Sequence, residues 1–152
     1  MDEIDRKILA LLQEDATLPI AQIAKRVELS PTPCWKRIQK LKEDGIIAKQ
    51  VVLCDPKKLG LGTTVFVSVR TNRHNDAWLQ KFAKAVAEIP QIVEVYRMSG
   101  DIDYLLRVVV RDIDGYDEVY KRLIKMVELH DVSSSFAMEQ IKFSTALPIP
   151  QG

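Results

Sequence analysis

The sequence predicts an α+β chain in two parts, an N-terminal (winged) helix-turn-helix domain followed by a ferredoxin-like βαββαβ domain. Three observations carry this. Apolar residues recur at helical spacing in three successive segments before Gly45. The stretch Cys54-Asp55-Pro56-Lys57-Lys58-Leu59-Gly60-Leu61-Gly62 gathers turn and breaker residues. Beyond it, strand and helix periods alternate in the order β-α-β-β-α-β. The expected division is 1–50 for the first domain, 51–62 for a strand and linker, and 63–152 for the second. In a chain of 152 residues, two such small domains are expected to need support from a partner subunit.

The first helix is expected over about Asp2 to Glu14, where Ile4, Ile8, Leu11 and Leu12 share a face. Ile20, Ile23, Ala24 and Val27 mark a short second helix after Pro19, with a tight turn around Glu28-Leu29. The third helix has the sharpest start: Ser30 suits an N-cap and Pro31 the first helical position. Its stripe of Cys34, Ile38 and Leu41 turns inward, and Gly45 ends it. Ser30, Thr32, Pro33, Lys36, Arg37 and Lys40 are left outward, while Trp35 is expected at the edge of the small core beside Ile38, the alternative being a place near a backbone phosphate. The β-branched run Ile46 to Leu53 is expected to be extended, as a wing-like arm or an interdomain strand.

In the second part, strands are expected over Thr63 to Arg70, Ile92 to Met98, Tyr104 to Val110 and Val132 to Phe143. Helices fall at about Asp76 to Glu88, with Leu79, Phe82, Ala83 and Val86 on the packed face, and at about Ile113 to Val127. Tyr104-Leu105-Leu106-Arg107-Val108-Val109-Val110 is so apolar that both sheet faces are expected to be buried. One face meets the helices; the other would meet the sheet of an identical subunit.

The composition, 47% apolar and 28% charged, is that of a globular protein, and the net charge of +1 gives no global argument for nucleic acid. Charge is instead sorted by element. Ser30 to Lys42 holds Lys36, Arg37, Lys40 and Lys42 with no acidic residue, whereas Asp2, Glu3, Asp5, Glu14 and Asp15 crowd the first segment. A helix so charged can enter a major groove of double-stranded DNA, where Lys36 or Arg37 would donate to guanine. Thr32 or Ser30 would bond a phosphate or base edge, and Lys40 would neutralise backbone charge. The same cations also fit the solvated face of an ordinary amphipathic helix. No apolar run reaches the roughly 18 residues of a membrane span, and the N-terminus lacks a basic secretory start, so a cytoplasmic protein without membrane contact is expected. Cys34 and Cys54 have no Cys-x-x-Cys partner, which argues against a disulfide framework or a sulfur-ligated metal.

The chain resembles the Lrp/AsnC family of feast-or-famine transcription regulators from Ile4 to Leu147. The likeness rests on an ordered set. It comprises Asp5-Arg6-Lys7-Ile8-Leu9, the run from Ser30 to Leu41 ending in Gly45-Ile46-Ile47, and Gly100-Asp101-Ile102-Asp103-Tyr104. It implies DNA binding by the third helix, with Ser30, Pro33, Arg37, Ile38 and Leu41 on the family's recognition pattern. It also implies a homodimer assembling further to a tetramer or octamer, and a small amino-acid effector bound where the second domains meet. Gly100 would allow close backbone approach, Asp101 or Asp103 would bind an ammonium group, and Met98 and Tyr104 would border the pocket. A hydroxyl from Ser133, Ser134 or Ser135 would complete it across the interface, with Ser134 facing opposite to its neighbours. Turn aspartates and serines of this kind also serve simply to satisfy backbone groups. Similarity to a branch with a cysteine-responsive member makes L-cysteine the first expected effector.

Two alternatives are set against this reading. Sirohaem decarboxylases share the plan but need histidines near a haem, and here the only two, His74 and His130, fall in polar turns. A metal-responsive regulator would need His74, His130, Cys34 and Cys54 to converge, and they are scattered over unrelated elements. No catalytic group, cofactor or metal is expected.

Overall fold

The computed structural model describes residues 1–72 and 75–151, and the chain separates into two compact units. The first comprises Met1–Val52 together with the C-terminal segment from Ile141, and the second Leu53–Gln140.

In the first unit, α1 (Glu3–Glu14), α2 (Ile20–Arg26) and α3 (Pro31–Glu43) follow the expected order. Asp2 caps α1 reciprocally: its carboxylate accepts from the Asp5 N–H at 2.9 Å, and the Asp5 carboxylate accepts from the Asp2 N–H at 2.9 Å. α2 ends in a tight reversal. Glu28 takes a left-handed φ of 58°, which lets its N–H donate to Lys25 O and the Leu29 N–H to Ala24 O. Ile8, Leu9, Ile23, Ala24, Val27, Cys34, Ile38 and Leu41 form the core, each long side chain contributing about 1.5–3 kcal/mol on burial.

In the second unit, β1 (Thr63–Arg70), α4 (Asp76–Glu88), β2 (Ile92–Arg97), β3 (Tyr104–Val110), α5 (Ile113–Met126) and β4 (Asp131–Phe136) give the ferredoxin-like plan. The antiparallel sheet runs β2-β3-β1-β4. Val65, Val67 and Val69 of β1 and Leu106, Val108 and Val110 of β3 pack against Trp78, Phe82 and Ala85 of α4 and Val119 and Leu123 of α5. Both helices therefore cover one face. By alternation Phe66, Ser68, Tyr96, Leu105, Arg107, Ser133 and Ser135 belong to the other.

Four expectations are corrected. Ile46 to Leu53 forms no strand; Val51, Val52 and Leu53 are exposed, because no strand among the described residues pairs with them. β4 stops at Phe136, seven residues short of the expected Phe143, since its last ladder partner on β1 is Val65 and only Ala137 still bonds back, to Thr64 O. α4 buries Trp78, Phe82 and Ala85 and leaves Leu79 exposed, a rotation favoured by the larger surface of the tryptophan. The expected second domain ended at 152, yet the tail groups with α1. Gln13 exchanges two hydrogen bonds with the Leu147 backbone at 3.1 and 2.7 Å, Arg6 Nε donates to Pro150 O at 3.0 Å, and Ile149 packs on the helical core.

Candidate functional site

The exposed part of α3 begins at its N-terminus. Ser30 is the cap residue by backbone conformation, but its hydroxyl makes no capping hydrogen bond. Thr32, Pro33, Lys36 and Lys40 are exposed, as expected, and among the described residues neither lysine enters an ion pair.

Arg37 is placed differently from expectation. Its Nη1 donates to Asp2 Oδ2 at 2.7 Å and to Asp5 Oδ1 at 2.8 Å, which draws the guanidinium away from the outer face and onto the start of α1. At 100° per residue, Arg37 lies toward the flank of the helix, whereas Thr32, Lys36 and Gln39 share its centre. Asp2 and Asp5 thus share a specific partner. The Asp5 N–H, followed by Arg37, holds the Asp2 carboxyl down at about 2.

Trp35 is the second difference. It is 46% exposed and stands outside the core, because Cys34 and Ile38 fill the inward positions. With Ile20, Pro31 and Thr32 it lines a shallow groove of about 320 Å³, almost wholly carbon. Cys34 is fully buried, and burial pushes its thiol up, against the thiolate character a redox sensor needs.

The turn between β2 and β3 divides the expected ligand residues. Gly100 adopts φ +116° with open space where a Cβ would lie, and Met98 and Asp101 are exposed. Asp103 is instead a fastener: its carboxylate accepts from the Thr71 N–H at 2.7 Å, its own N–H donates to Val69 O, and its carbonyl accepts from Met98. Tyr104 lies on the helix side, its ring 4.7 Å from Phe82 and 5.7 Å from Trp78. Ser134 pairs with Val67 and bonds the Tyr116 hydroxyl of α5, so it too faces the helices. Asp103, Tyr104 and Ser134 thus each have a partner within this unit, and Ser133 and Ser135 are the serines on the uncovered face.

That face has features that sequence reading did not single out. Arg107 donates to Glu94 at 2.6 Å and Tyr96 to the same carboxylate at 3.0 Å, a half-buried cluster that keeps the Glu94 carboxyl below its usual range. Cross-strand register brings Glu94 opposite Arg107, and the bulge between Ile92 and Glu94 hid that pairing from simple alternation.

Residues 64–147 match the family described as the Lrp/AsnC ligand binding domain. The chain belongs to the Lrp/AsnC family. Residues 1–48 of this Lrp/AsnC regulator match a winged helix-turn-helix DNA-binding family. It is 52% identical over 150 residues to the DNA-binding transcriptional activator DecR of Escherichia coli, covering 98% of this chain and 99% of that one. An AsnC family transcriptional regulator from Agrobacterium tumefaciens has a crystal structure that superimposes with a TM-score of 0.94 at 60% identity, over 97% of both chains. A transcriptional regulator from Neisseria meningitidis, solved as a complex with L-methionine, superimposes with a TM-score of 0.92 at 32% identity, over 97% of this chain and 96% of that one. This Lrp/AsnC protein is thus a DNA-binding transcription regulator with a ligand-binding domain, and these relatives are described as transcription regulators.

Among the described residues, no helix is long and apolar enough to cross a membrane, and no group of three or more His, Cys, Asp or Glu side chains is placed to hold a metal. His130 is exposed, and His74 lies outside the described residues.

Proposed function

We propose that this regulator reads operator DNA with the outer face of α3 and responds to a small L-amino acid bound where two second domains meet. The observation that carries the DNA reading is the exposed set Thr32, Pro33, Lys36 and Lys40, free of ion pairs among the described residues, at the start of the second helix of the motif. Lys36 donates to a base edge, Lys40 neutralises a phosphate, and Ser30 and Thr32 bond the backbone or a base. Arg37 holds the helix from behind.

The effector reading is supported by the open Gly100-Asp101 turn and by the uncovered sheet face, which Phe66, Leu105 and Val109 share with a half-buried ion pair. A second copy related by a two-fold axis covers that face, with tetramers or octamers built from such dimers. Gly100 and Asp101 receive the amino acid's charged groups, Met98 borders its side chain, and Ser133 or Ser135 of the partner closes the site. L-cysteine is the first effector to test, with L-methionine beside it because the Neisseria relative was solved with that amino acid.

Gel-shift titration at stepped salt tests the first claim. Lys40→Ala should flatten the slope of log affinity against log salt by about 0.9, whereas Lys36→Ala should cost about 1–3 kcal/mol and relax specificity at one operator position. Wild-type protein that retards no duplex at low salt would overturn it. Thermal-shift screening against all twenty amino acids tests the second: one selective ligand is expected to raise the melting temperature, and a flat screen would defeat the effector claim.

A further inference from the structure

Of the residues that line the groove, Ile20 also packs on the helical core, whereas Pro31, Thr32 and Trp35 are exposed and stand outside it. The Trp35 indole, a large apolar surface with one polar N–H, is about half exposed one helical turn from the start of α3. The surroundings select among occupants. Lys36 follows Trp35 directly, Lys40 lies a turn further on, and no acidic residue occurs between Ser30 and Lys42. A groove of carbon set beside cations that form no ion pair among the described residues is complementary to an apolar group carried on a polyanion. In a major groove that group is the thymine 5-methyl, the one hydrocarbon that a base edge presents there.

We propose that this groove accepts a thymine methyl group, making Trp35 a determinant of operator sequence in addition to the lysines. The inference rests on α3 being the DNA-reading helix. Thr32 contributes a methyl to one wall, and Ile20 brings α2 into the recognition surface. The groove discriminates thymine from cytosine by contact with carbon alone, so its contribution does not vary with salt as that of Lys36 and Lys40 does.

The test begins with selection of duplexes from a random library by the wild-type protein. Each thymine of the selected duplex is then replaced singly by deoxyuridine, which removes only the methyl. At one thymine in each half-site the replacement should weaken wild-type binding about three- to tenfold, as loss of one buried methyl predicts. Trp35→Ala should bind both duplexes within about twofold of each other, and Thr32→Ser should show a reduced penalty. Circular dichroism establishes that both variants are folded. A wild-type protein that selects a duplex yet tolerates deoxyuridine everywhere would overturn this inference alone. So would an undiminished penalty in Trp35→Ala. A wild-type protein that selects no duplex would overturn the DNA-reading role of α3, and this inference with it.

Discussion

Arg37 Nη1 donates to Asp5 Oδ1 at 2.8 Å, tying the middle of α3 to the first turn of α1. Asp5 is at the same time half of the capping box that starts α1, so one guanidinium braces both the cap and α3.

Arg37→Ala should therefore act first on stability. Because the pair is partly exposed, the expected loss is modest, about 2–5 °C in melting temperature. Asp5→Ala combined with Arg37→Ala should cost less than the sum of the two single losses, which a double-mutant cycle measures. An unchanged melting curve with an altered base preference would restore Arg37 as a reader of DNA.

The capping carboxylate sets an acid limit. Asp2 titrates at about 2 in the folded chain against an ordinary 3.8, so its contribution is complete above 3.8 and is lost as pH falls through about 2. NMR titration of the Asp2 carboxylate should find the low midpoint. In Arg37→Ala the midpoint should rise only partway toward 3.8, since the larger cause, the Asp5 N–H bond, survives.

Glu28 closes α2 in a left-handed conformation that an L side chain resists and glycine accepts. Glu28→Gly should stabilise the protein by about 0.5–1 kcal/mol. Denaturant unfolding followed by circular dichroism measures the change, and a destabilised variant would contradict the assignment of strain to this residue.

Ser134 and Tyr116 bond each other beneath α5, where burial pushes the phenol up. Ser134→Ala and Tyr116→Phe should each destabilise by about 0.5–1.5 kcal/mol, and the double variant by little more than either. Ser135→Lys should instead leave the fold intact and weaken self-association, read by sedimentation. If Ser134→Ala abolished effector binding without a loss of stability, its placement against α5 would be the wrong account of its role.

Periodicity and cap chemistry determined the elements themselves. The Ile23/Val27 and Cys34/Ile38/Leu41 stripes, the Ser30-Pro31 start and the valine alternation of β1 are local signals, legible because helix and strand periods need no distant partner. The ordered signatures around Arg37 and Gly100 determined the family for the same reason. What tertiary structure decided is which side chains have company. Arg37 looked outward until Asp2 and Asp5 were folded against it, and the Asp103 carboxylate looked free until the Thr71 N–H arrived. Ser134 and Tyr104 turned inward through strand register, and the tail joined α1 through Gln13, a partner 134 residues away. Trp35 went the other way, from the expected edge of the core to open surface. A residue's type states what it is able to bind; only packing settles whether that capacity is already filled.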